Sequence, residues 1–222
     1  MIRIQFQQNL DELKERLLIM AGLVEQAIQR ATESYSTRDM GLCDLVRRSE
    51  PAINRMEREI DQAALDLLAM QQPMAVDLRF IIAVIRINAD LERVGDQAVS
   101  IAGRVQEMGA FANVELPVDI PKLASLAAAM VRKALQAFIE GDADLAHSVL
   151  LLDDQVDEMN REAFRSLSLL ISEKPEMTPQ ALNALIISRS LERVGDHATN
   201  IAEDVIFWVR GADVRHKGAE LQ

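Results

Sequence analysis

Leu91-Glu92-Arg93-Val94-Gly95-Asp96 returns letter for letter as Leu191-Glu192-Arg193-Val194-Gly195-Asp196. The agreement runs on through Ala98 and Ala198, Ile101 and Ile201, and Ala102 and Ala202. A motif that recurs at a fixed offset points to a duplicated unit. Around the first copy, apolar residues fall at Phe80, Val84, Ile87, Leu91, Val94, Ala98, Ile101, Val105 and Met108, in alternating steps of four and three. That is a heptad-type helical seam. Ala184, Ile187, Leu191, Val194, Ala198, Ile201, Val205 and Trp208 keep the same phase around the second copy.

Working outward from these two helices gives an all-α fold, two pseudo-symmetric repeats of a three-helix bundle. Leu10, Leu13, Leu17, Met20, Val24, Ala27 and Ala31 mark a first helix over roughly 5–37. Asp39 caps the second, which carries Leu42, Val46, Ile53, Met56, Ile60 and Leu67, with Pro51 expected to kink it. The third starts near Pro73. A linker from Gly109 to Pro121 separates the halves. Leu123 to Phe138 forms the fourth helix, Asp142 caps the fifth, and Pro175 and Pro179 bracket the turn into the sixth. The domains read as 1–110 and 118–212, followed by a loose tail over 213–222. Asp39 and Asp142 correspond at an offset of 103, as do Glu50 and Asp153, while the repeated motif is offset by 100.

Composition narrows the function classes. The formal net charge is −11, which argues against nucleic acid, whose phosphates need Lys and Arg, and favours cations or basic surfaces. One cysteine, Cys43, excludes an internal disulfide and reads as a core residue. No run of 18 apolar residues occurs, so nothing reads as a membrane span, and the N-terminus lacks a secretory h-region. The expectation is a cytoplasmic protein.

The heptad phase places the acids. With Leu91 and Val94 at seam positions a and d, Glu92 is b and Asp96 is f, one turn apart and expected to point away from the core. Like charges at this spacing destabilise a helix by roughly 0.2–0.5 kcal/mol, a conflict that a bound cation relieves. The plain alternative is a solvated face, with Arg93 and Arg193 as counter-charges. Asp153 and Asp157 repeat the spacing on helix five. Their counterparts on helix two are Glu50 and Asn54, with Glu57 and Asp61 continuing the stripe. Antiparallel neighbours would let these stripes meet the repeated motifs. Convergent carboxylates suit Mg, Mn, Fe or Zn. His197 follows Asp196 and could reach a cation there; His147 reads as solvated and His216 lies in the tail. There is no Glu-x-x-His pair for a di-iron bundle, no phosphate-cradling Gly loop, no paired Cys ligands and no nucleophile elbow. Gly95 and Gly195, mid-helix, suggest close approach of a backbone, ligand or packed neighbour.

Two three-helix repeats, each bearing Leu-Glu-Arg-Val-Gly-Asp followed by Ala and Ile-Ala, resemble the PhoU family, the accessory proteins of the bacterial phosphate-specific transport system. The resemblance covers about residues 10–210. It implies a cytoplasmic negative regulator of the phosphate-starvation response and of phosphate uptake, not an enzyme. It also implies a link between the phosphate ABC transporter and a sensor histidine kinase, peripheral contact with the membrane only through those partners, and a homodimer. Some members bind metal through Glu/Asp-x-x-x-Asp motifs, which fall here on Glu92-Asp96, Glu192-Asp196 and Asp153-Asp157. The fourth place reads Glu50-Asn54, a departure that substitutes a neutral, weaker ligand. The rival readings are a metal-dependent enzyme (phosphoesterase or oxidase) on the same carboxylates, and a purely structural helical scaffold.

Overall fold

The computed structural model describes residues 2–71, 73–212 and 214. Six long helices, α1 (Ile2–Thr37), α2 (Met40–Gln71), α3 (Ala75–Met108), α4 (Ile120–Glu140), α5 (Ala143–Glu173) and α6 (Thr178–Arg210), follow one another with a single 3-10 turn at Pro175–Met177. No strand occurs among the described residues. Helices of 31 to 36 residues, as in α1, α2, α3, α5 and α6, span about 50 Å. The expected tail lies outside the described residues except for Val214.

The ends follow from local chemistry. Asp39 Oδ1 accepts from Gly41 N at 2.8 Å, and Asp142 Oδ1 accepts from Asp144 N and Leu145 N at 2.9 Å each. Gly141 and Gly211 close α4 and α6 with left-handed backbone, φ 64° and 69°, where a side chain would be strained. Two prolines mark helix starts, Pro179 as expected and Pro121 in place of the linker end expected of it. Pro121 lies in the first turn of α4 and Pro179 in the first turn of α6, where the missing N–H costs nothing. Pro51 sits inside α2, which continues on both sides of it.

α1, α2 and α3 pack as one three-helix unit and α4, α5 and α6 as the other, with α3 against α6 joining them. The buried apolar side chains of both units form one continuous cluster. The joint is antiparallel, because its polar ties pair rising numbers on α3 with falling numbers on α6. Arg79 Nε donates to Trp208 O at 3.1 Å, Arg86 Nη1 pairs with Asp204 Oδ1 at 3.0 Å, and Asn200 Nδ2 donates to Asp90 Oδ1 at 3.1 Å. Phe80 of α3, Phe138 of α4 and Trp208 of α6 form an aromatic cluster at one end of that joint, with ring centroids 5.1–5.9 Å apart.

Candidate metal centre

The repeated motifs occupy the middle of α3 and α6. Leu91, Val94, Gly95 and Ala98 are buried, as are Leu191, Val194, Gly195 and Ala198. The buried arc therefore takes in the e position as well as a and d, wider than a two-sided seam. The glycines allow this. A β-carbon on Gly95 would lie 3.3 Å from Ile53 Cδ1 of α2, and one on Gly195 3.2 Å from Val156 Cγ1 of α5. The motif thus brings α2 close to α3 and α5 close to α6.

That close approach corrects the expectation that the acids point away from the core for Glu92 and Glu192 only. With a, d and e buried, positions c and f are outermost: Arg93, Arg193 and Asp196 are exposed, and Asp96 is half-buried. Position b sits at the rim of the buried arc, against the neighbouring helix. Glu92 is accordingly only 15% exposed and Glu192 is half-buried.

In the second unit the acids converge. Asp153 and Asp157 of α5 and Asp196 of α6 each bring a carboxylate oxygen within 4.8 Å of the other two. Asp153 Oδ1 is buried and has no hydrogen-bond partner. Burial raises the Asp153 carboxyl to about 6, with Asp157, Asp196 and Asp154 adding to the effect. Burial also raises Glu192, aided by Asp157 and Asp153 against Arg189 and Arg193. It raises Asp196 too, with Glu192 and Asp157 adding and His197 and Arg193 opposing. A buried, unpartnered oxygen among mutually repelling carboxylates, presenting oxygen donors only, fits a hard divalent cation.

In the first unit the same positions meet differently. Glu92 is raised first by burial, then by Asp96, Glu57 and Glu50, so α2 and α3 do bring acids near one another. Arg93 answers them directly, at 3.5 Å from Glu92 and 3.3 Å from Asp96. Among the described residues, no three acids here gather as closely as those of the second unit. Asn54 supplies no charge where Asp157 does. Glu57 enters the field of Glu92, and its place on the α2 stripe was the signal for it. Asp61 leaves the stripe: its Oδ1 accepts from Asn88 Nδ2 at 2.9 Å. His197 also turns away. Its Nδ1 lies 2.8 Å from Asp90 Oδ1 across the α3–α6 joint, which takes the ring off the cation face where its neighbour Asp196 stands. His147 is exposed, and His216 lies outside the described residues.

The PhoU domain family matches residues 17–105 and 120–205. The phosphate-specific transport system accessory protein PhoU homolog of Pseudomonas aeruginosa is 42% identical over 217 residues, 96% of this chain and 89% of that protein. The phosphate-specific transport system accessory protein PhoU of Escherichia coli is 32% identical over 216 residues, 97% of this chain and 90% of that protein. Among solved structures, PhoU from Pseudomonas aeruginosa superposes with a TM-score of 0.88 at 40% identity, covering 93% of this chain and 100% of that one. The phosphate transport system regulatory protein PhoU from Streptococcus pneumoniae superposes at 0.84 with 27% identity, covering 94% and 99%.

Proposed function

The chain belongs to the PhoU domain family, and from that membership we propose that it acts as a negative regulator of phosphate uptake and of the phosphate-starvation response. The coarser assignment, an accessory regulatory role in phosphate transport rather than an enzymatic one, is the role in which its relatives are named. In the finer reading the protein acts in the cytoplasm and meets the membrane only through partners. Those partners are the phosphate ABC transporter and a sensor histidine kinase, and the working form is a homodimer. Among the described residues, no helix is long and apolar enough to cross a membrane.

The observation that carries the reading is the doubled Leu-Glu-Arg-Val-Gly-Asp block in two packed three-helix units, spanning nearly the whole chain. Metal belongs to the same proposal. Asp153, Asp157 and Asp196 would hold a divalent ion, Mg, Mn, Fe or Zn, with Glu192 beside them. The first unit, with Glu50, Asn54, Glu92 and Asp96, offers a weaker site because Arg93 already occupies its charge. A bound cation would neutralise the carboxylates of the second unit and tie α5 to α6. The residues position it by the close approach at Gly195.

Deleting the gene in its host should raise expression of phosphate-starvation genes in phosphate-rich medium, and plasmid-borne protein should restore repression. Unchanged expression after deletion would count against the regulatory assignment. Tagged protein should co-purify with subunits of the transporter or the kinase.

A further inference from the structure

On the same α5–α6 face as the acids, toward the C-terminus of α5 and the N-terminus of α6, the character of the surface changes within two turns. A groove of about 430 Å³ opens there, with Phe164, Leu185 and Ile186 as its apolar walls and Arg161, Arg165 and Arg189 around it. Phe164 is 63% exposed and Ile186 39%, large apolar surface for a free helix face. Arg161 and Arg165 share one carboxylate, Glu158, at 2.9 and 3.6 Å, and Arg161 also reaches Asp157 at 3.5 Å. Arg189 stands exposed on α6. The groove is lined by three guanidinium groups and no carboxylate on a chain of net charge −11, with Glu158 beside it answering Arg161 and Arg165.

The duplication provides an internal control. At the offsets that relate the two units, 103 for α2 and α5 and 100 for α3 and α6, Phe164 corresponds to Asp61, Arg165 to Gln62, Ile186 to Arg86 and Arg189 to Ala89. In the first unit, Asp61 is bonded to Asn88 and Arg86 is paired with Asp204. The equivalent surface is thus polar and internally satisfied. Of the three arginines only Arg161 is matched, by Arg58, so packing of the repeat does not demand the aromatic ring, Arg165 or Arg189 at this place.

We infer that the Phe164–Ile186 groove docks an acidic amphipathic helix of a partner protein. Apolar side chains of that helix would enter between Phe164 and Ile186, and its flanking carboxylates would meet Arg165 and Arg189. The concavity favours a helix over a bilayer, since a groove takes the side-chain ridge of a helix, whereas binding to a membrane surface buries a protruding apolar face. Arginine suits the role because its planar fork holds carboxylates in two bonds while its face lies against apolar side chains.

The test uses the full chain and a short fluorescent peptide, helical by design, with leucines on one face and glutamates flanking them. Its control carries lysine in place of every glutamate. By anisotropy, the acidic peptide binds saturably, and added salt weakens it. Phe164→Ala and Arg165→Glu each weaken binding by about tenfold, the scale of one anchoring contact. Gln62→Glu, on the matching face of the first unit, leaves it unchanged. All three positions are exposed, and circular dichroism checks that the helices persist. The inference is overturned if no saturable binding occurs, if the lysine peptide binds equally, or if both groove variants bind as the native chain does. It is also overturned if sedimentation shows a self-association that Phe164→Ala abolishes, which assigns the groove to a second copy. Binding to phosphatidylglycerol vesicles that Arg165→Glu removes would assign it to a membrane, with the same consequence.

Discussion

Replacing Asp153 by Asn should stabilise the metal-free protein at neutral pH. The Asp153 carboxyl sits at about 6 against an ordinary 3.8 because it is buried among Asp157, Asp196 and Asp154. A folded-state pKa raised above the unfolded one means that the fold binds the proton more tightly. The associated stability is present below the unfolded value and is lost as pH rises through the folded one. The window therefore runs from about pH 4 to pH 6, and above it the ionised group is a standing penalty. Two units at about 1.36 kcal/mol each give roughly 3 kcal/mol as an upper bound. Asp153 is only partly buried, so solvent screening brings this to about 1–2 kcal/mol. For a chain of 222 residues that is a rise in melting temperature of about 2–4 °C. The assay is thermal or urea unfolding in the presence of EDTA at pH 7.5 and pH 4, for the native chain and Asp153→Asn. The gain should be present at pH 7.5 and mostly gone at pH 4. Adding Mn to both proteins at pH 7.5 should reverse the order, because the ion repays the native carboxylate and not the amide. An Asn variant no more stable than the native chain at pH 7.5, or a gain independent of pH, would refute the reasoning.

Mn at a hundredfold excess over its Kd should stabilise the native chain by about 2.7 kcal/mol, seen as a higher melting temperature. Glu192→Gln with Asp196→Asn should remove most of that rise, whereas Glu92→Gln with Asp96→Asn should leave most of it; equal rises in all three proteins would dissociate the metal from both motifs. Gly195→Ala should cost more stability than Gly95→Ala in denaturant melts, because its new methyl meets the stiff Val156 while Gly95 faces the movable tip of Ile53. Equal gains in stability in both variants would show that helix propensity, about 1 kcal/mol in favour of Ala, decides both sites, and the reverse order would refute the steric argument. Phe138→Ala, emptying a fully buried position in the aromatic cluster, should lower stability by about 3–5 kcal/mol with helical content retained below the transition.

Most of the fold was legible because each helix writes its own seam. Leu91, Val94 and Ala98 needed only the period of the helix to be placed in the core, and Asp142 needed only its position before an apolar run. Pro121 shows the limit of local signals. It is a breaker by composition, yet at the first turn of a helix proline loses no hydrogen bond. Choosing between a linker and a helix start takes the neighbouring turn geometry, which the letters alone do not carry.

The site was legible as a set of positions and not as an arrangement. Heptad phase assigned Glu92 and Asp96 to the outside because it assumed a seam two positions wide. Gly95 and Gly195 widen the buried arc to a third position, and Glu92 and Glu192 move from open surface to the rim between two helices, while Asp196 stays exposed. That shift contributes to the burial that raises Glu92 and Glu192. Nor could the letters show that two identical motifs end in different electrostatic states. The six residues are the same, so the difference has to come from their partners on the preceding helix. Opposite the second motif stand Asp153 and Asp157; opposite the first, Glu50 and Asn54. One missing carboxylate lets Arg93 settle between Glu92 and Asp96, while Arg193 acts on Glu192 and Asp196 only as a secondary, opposing influence. A duplicated helix thus carries one site with its charge already answered and one with its charge open. A bound cation would change stability most at the open one.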